Sequence, residues 1–211
     1  MSVTHVIFDF DGLLVDTETC YTKANEMLLK KYGCNFTPEL NSKIMGRKEV
    51  EAIPWLLNEV GIAHMVTATE YITQYDAILA EIFLKCKAMP GAERLVRHFH
   101  KKGIPQAICS GSRSITFGPK REPHKEWCSV EMNLISKEGN HFRIHTWQLW
   151  IDEFLQFQKK PDDPSKVLVF EDSPNGGRSA KAAGMKCVMV PNEKFFKEAL
   201  DIGLVFSRLR S

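Results

Sequence analysis

Short, mostly apolar runs in this chain read as strands buried on both faces. Longer stretches with an apolar residue every third or fourth position read as helices. Runs of the first kind fall at residues 3–8, 105–109, 167–170 and 186–191, the last read as the final core strand. Tyr21, Ala24, Met27, Leu28 and Tyr32 are spaced for one helix face, and Gly33 follows as a stop. Further helices are predicted over 38–44, 49–60, 69–87, 92–102 and 177–183. Everything from about 17 to 87 is helical and interrupts an otherwise regular strand–helix alternation. That alternation predicts an α/β fold. It would be a doubly wound, mostly parallel sheet, a Rossmann-like core, with a helical domain inserted after the first strand. The expected boundaries are 1–16 and 88–211 for the core and 17–87 for the insert.

The first strand carries the most pointed chemistry. It ends in Asp9-Phe10-Asp11-Gly12, with Leu14 and Asp16 close behind. Carboxylates at the end of a buried strand are costly unless paired or bound to a metal. In an open α/β sheet, ligands bind at the carboxyl ends of the strands. Gly12 permits a sharp turn and a close approach of backbone amides to whatever Asp9 faces. The strand at 167–170 also ends in acids, Glu171-Asp172-Ser173-Pro174-Asn175-Gly176, and the strand at 105–109 runs into Ser110-Gly111-Ser112.

Composition narrows the field without naming a chemistry. The chain has 211 residues, 44% hydrophobic and 26% charged, enough for a core domain plus a smaller insert. A net charge of +2, with both signs mixed along the chain, implies no nucleic-acid partner. No apolar run approaches the roughly 18–20 residues of a membrane span. The N-terminus enters a strand directly, which predicts no signal peptide. Six scattered cysteines without a Cys-x-x-Cys pair predict free thiols in a reducing cytosol. The expectation is a cytoplasmic monomer.

The string Asp9-Phe10-Asp11-Gly12-Leu13-Leu14-Val15-Asp16 resembles the first motif of the haloacid dehalogenase-like hydrolases. Most of these are Mg²⁺-dependent phosphatases and phosphomutases. By that resemblance Asp9 would be the nucleophile and Asp11 the group that protonates the leaving oxygen and later activates water. Ser110, with the Gly111 and Gly12 backbone beside it, would hold the phosphoryl oxygens. Glu171-Asp172 resembles the fourth motif. It would complete a Mg²⁺ site of Asp9, Asp11 (through its backbone carbonyl), Asp172 and Glu171. Hard oxygen ligands suit that ion. The helical insert would be a cap, in which Gly46 and Arg47 could meet the substrate. Met89-Pro90-Gly91-Ala92-Glu93-Arg94-Leu95 and Ala182-Ala183-Gly184-Met185 bring the resemblance nearest to the pseudouridine-5′-phosphatase-like branch. The implied reaction is hydrolysis of a small phosphomonoester, nucleotide-like or a sugar phosphate. Two alternatives stand beside it: an impaired relative that only binds metal or phosphate, and a phosphomutase.

One stretch departs from the pattern. The family's third motif is a lysine in Gly-Lys-Pro-x-Pro, and residues 113–158 hold no such string. Asp152-Glu153-Phe154-Leu155 is similar to the sequence that follows that lysine, and the register then sets Gln148 in its position. Trp127, Trp147 and Trp150 crowd into the stretch with His124, His141 and His145. An altered reading frame or a mis-joined exon would leave a break of this kind. The histidines lack zinc-ligand spacing. Lys120, Lys125 and Lys137 are the candidates to supply the lost charge, and without one of them activity should be weak.

Overall fold

The computed structural model describes residues 2–45, 47–112, 114–128, 133–136 and 161–205. It divides into two compact units, residues 1–16 with 87–211, and residues 17–86.

The first unit is built on a six-stranded sheet in the order β3-β2-β1-β4-β5-β6. Every pairing is parallel. The strands are β1 (His5–Phe8), β2 (Gln106–Ser110), β3 (Asn133–Ser136), β4 (Val167–Glu171), β5 (Lys186–Met189) and β6 (Leu204–Val205). β1 is buried along its whole length, as its apolar run requires. Ile7, Ala107, Val169, Cys187 and Met189 form the core on this sheet with Ala180 and Ile202. Phe8 stacks on Phe170 at 5.2 Å between ring centroids, and Phe99 leans on both. β5 is not the last strand: β6 extends the sheet edge beyond the predicted run at 186–191. β3 also arises in a stretch whose periodicity predicted no element.

Among the described residues the second unit holds four helices: α1 (Thr17–Lys31), α2 (Pro38–Ile44), α3 (Glu49–Glu59) and α4 (Ala68–Phe83). Thr67 and Glu70 close a reciprocal capping box at the start of α4. Its core takes Leu28, Leu29, Leu56, Leu57, Tyr71, Leu79 and Phe83. Asn25 is buried there and satisfied: it donates to the Tyr75 hydroxyl at 3.2 Å and accepts from the Tyr71 hydroxyl at 3.0 Å. Both tyrosines ionise far less readily than usual, mainly through burial.

The sheet unit carries helices α5 (Ala92–Lys101), α6 (Ser114–Arg121), α7 (Lys125–Cys128) and α8 (Pro174–Ala182), and within it the chain leaves and returns side by side. The Asp16 amide donates to the Lys87 carbonyl at 2.9 Å and the Met89 amide to the Leu14 carbonyl at 2.9 Å. All six cysteines are free thiols. Among the described residues no helix is long and apolar enough to cross a membrane.

Candidate active site

In this strand order the chain runs outward in both directions from β1 and β4, so the crevice of a doubly wound sheet opens at their carboxyl ends. Phe8 lies opposite Phe170 in the register, and the Asp9 amide donates to the Phe170 carbonyl at 2.9 Å. Parallel pairing therefore carries both acid-bearing strand ends to the same place. Oxygens of Asp9, Glu171 and Asp172 lie within 4.8 Å of one another.

Each acid is positioned by its neighbours. Glu171 is buried and accepts from the Ser173 amide at 2.9 Å and the Ser173 hydroxyl at 3.0 Å. Ser173 also caps helix α8 (Pro174–Ala182) by accepting from the Gly176 amide at 3.1 Å. Gly12 has φ +83°, and a Cβ on it would fall 2.3 Å from Oδ2 of Asp172. The first-strand turn thus needs glycine for conformation and for space. Burial pushes the Asp9 carboxyl well above the ordinary carboxylate range, and the negative charges of Glu171, Asp172 and Asp11 push the same way. Burial likewise raises Glu171 to about 7, against the opposing hydrogen bonds from Ser173.

Asp11 faces a different environment. Its Oδ2 accepts from the hydroxyls of Ser110 at 3.0 Å and Ser112 at 2.6 Å, and its Oδ1 from the Lys120 ammonium at 2.6 Å. Burial would raise Asp11, but the Lys120 charge and these donors outweigh it and hold the carboxyl below its ordinary value. The Asp11 side chain is not among the three carboxylates that lie together.

Lys120 is wholly buried and also donates to the Ser112 hydroxyl at 2.8 Å. It sits on helix α6 (Ser114–Arg121), which follows β2. Phe117, one turn earlier on the same face, packs against Phe10 at 4.7 Å between ring centroids. That contact seats the helix and delivers the lysine to Asp11. Of the other candidate lysines, Lys125 pairs at the surface with Glu122 at 2.5 Å. Lys137 lies outside the described residues, as do Gln148, His141 and His145. His124 is buried beside Trp127, 5.4 Å between ring centroids.

The Ser110 hydroxyl, expected to hold phosphoryl oxygens, is donated to Asp11 and accepts from the Ser112 amide at 3.0 Å. Gly111 beside it is open to solvent. Arg47 is exposed in the helical unit, where its guanidinium lies 5.4 Å from the Trp55 ring. Gly46 lies outside the described residues.

Residues 6–121, more than half of the chain, match the family described as haloacid dehalogenase-like hydrolase. The chain is 40% identical over 205 residues to (DL)-glycerol-3-phosphatase 1, mitochondrial, of Arabidopsis thaliana, covering 95% of this chain and 68% of that protein. It is 34% identical over 199 residues to "Probable pseudouridine-5′-phosphatase" of Drosophila melanogaster, covering 93% and 85%. A structure described as a HAD hydrolase, family IA, variant 3, from Entamoeba histolytica superposes with a TM-score of 0.75 at 22% identity, over 98% of this chain and 92% of that one. Beta-phosphoglucomutase from Clostridium difficile superposes at 0.69 with 18% identity, over 98% and 91%. At such identities these two structures speak to the fold alone. Together with the acid-tipped strand ends, the matched residues and the curated relatives establish the family: the chain belongs to the haloacid dehalogenase-like hydrolases.

Proposed function

We propose that this protein is a Mg²⁺-dependent phosphatase that hydrolyses small phosphomonoesters through an aspartyl-phosphate on Asp9. The observation that carries the reading is the convergence of Asp9, Glu171 and Asp172 within 4.8 Å. Three carboxylates so close repel one another, and a hard divalent cation is the natural relief. All the donors are oxygens, which fits Mg²⁺. Asp9, Asp172, Glu171 and the Asp11 backbone carbonyl would hold it. When bound, the ion offsets the negative charge shared by the carboxylates and the substrate phosphate.

Asp9 attacks the phosphorus, and the bond to the ester oxygen breaks. Asp11 gives that oxygen its proton. Water then attacks the same phosphorus, Asp11 takes the proton, and Asp9 is released. Splitting one displacement into two is what a carboxylate nucleophile achieves. Lys120 and Ser112 donate to the ionised carboxylate of Asp11, which suits it to take the proton from the attacking water.

For substrate class, the relatives named for glycerol-3-phosphate and pseudouridine-5′-phosphate point to a phosphate on a small polyhydroxylated molecule. The test is phosphate release from glycerol 3-phosphate, pseudouridine 5′-phosphate and hexose phosphates, with Mg²⁺ and with EDTA. Mg²⁺-dependent release from at least one ester is expected. Release that is unaffected by EDTA would refute the metal assignment. Isomerised sugar phosphate without free phosphate would favour a mutase instead.

A further inference from the structure

We infer that Lys120 is a positioning residue for proton transfer: it fixes the Asp11 carboxyl and the Ser112 hydroxyl in the geometry the reaction uses. The inference rests on the phosphatase reading above and adds a residue to it.

Lys120 is wholly buried, and a lysine is almost never so unless its charge is paired. Its Nζ lies 2.6 Å from Oδ1 of Asp11 and 2.8 Å from the Ser112 hydroxyl. The Ser112 hydroxyl in turn donates to Oδ2 of Asp11 at 2.6 Å. Lysine, serine and carboxylate thus form a closed ring of contacts, with Ser110 as a further donor at 3.0 Å. A carboxyl held on both oxygens has no rotational freedom left. Proton transfer depends on just such alignment, since the donor must lie within hydrogen-bond reach of the moving proton. The chain builds the device locally. Lys120 and Phe117 are three residues apart on α6, and Phe117 is anchored on Phe10, the residue between Asp9 and Asp11. The helix that carries the lysine is therefore keyed to the turn that carries the acids.

A pair kept for stability alone would shift the melting temperature and leave the reaction's demands on the leaving group unchanged. A positioning role would not. Lys120→Met should therefore be compared with Asp11→Asn on an alkyl ester, glycerol 3-phosphate, and on p-nitrophenyl phosphate, whose leaving group needs little protonation. Lys120→Met should lose kcat on the alkyl ester by on the order of 10²-fold, the low end of general acid–base effects. It should lose much less on the aryl ester, with KM nearly unchanged on both. Lys120→Arg should recover part of the loss. The double variant should be no slower than Asp11→Asn alone, because both changes disable one unit. Equal losses on the two esters, losses that multiply in the double variant, or a rise confined to KM would each overturn the inference. If Lys120→Met does not fold, Ser112→Ala is read by the same comparison. A wild-type protein active through Asp9 with multiplying losses sinks only the Lys120 role. A wild-type protein inactive on every ester sinks the phosphatase reading and this inference with it.

Discussion

A Cβ built on Gly176 would lie 1.6 Å from Oε1 of Glu171, so the buried carboxylate fills the space a side chain would need. Glycine in the first turn of α8 is required by this close approach, not by a left-handed backbone. Gly176→Ala should push Glu171 out of the acidic group or shift the helix. Overpacking of this kind typically costs about 1–3 kcal/mol. Thermal unfolding should show the loss, and Mg²⁺ activation should weaken alongside it. Wild-type stability with a wild-type Mg²⁺ response would show that Glu171 has room to move.

Asp9→Asn should abolish phosphate release and leave the fold intact. It should also raise the melting temperature in EDTA. Asp9 is half-buried and lies near three other acids, so its charged form is disfavoured, and the neutral isostere removes that repulsion. A function-bearing carboxylate that weakens its own fold is a familiar trade between stability and activity. A variant that melts below the wild type in EDTA would argue that the acids repel one another less than their spacing implies.

In the metal-free protein, stability should fall as pH rises through the neutral range. Glu171 moves from an ordinary value of 4.5 to about 7 on folding, so the folded state binds its proton more tightly. The resulting stabilisation is full below about 4.5 and is lost as pH rises to about 7. Asp9 is raised and acts in the same direction. Asp11 is lowered, so its contribution is present above its ordinary 3.8 and disappears only in stronger acid. Urea unfolding between about pH 5 and about pH 8 measures the slope. Saturating Mg²⁺ should flatten it by favouring the ionised carboxylates. A metal-free profile with no fall toward alkaline pH would contradict the burial of Glu171.

Asp172→Ala should cut Mg²⁺-dependent turnover more than Glu171→Gln does. Asp172 lies against the Gly12 turn, whereas Glu171 is already engaged by Ser173. The apparent Mg²⁺ constant for activation, measured on both variants, checks the order. The reverse order would make Glu171 the stronger ligand.

The α/β class, the acid-tipped strands β1 and β4 and the serine-ended β2 were all legible in the sequence. Each is a local signal: a mostly apolar run of strand length, and carboxylates or serines where such a run stops. Four helices of the insert were legible for the same reason, since the apolar period repeats within each segment. Only tertiary structure decided the rest. Gly118 and Pro119, residue types that ordinarily break a helix, lie inside α6, because Phe117 and Lys120 on either side of them are buried against the first strand's turn. β6, a two-residue pairing at the sheet edge, is too short to leave a period. Lys120 is the clearest case. In the sequence it was one of three lysines with nothing to separate them. What singles it out is an ion pair with a residue 109 positions earlier in the chain, and no local pattern records a partner at that distance.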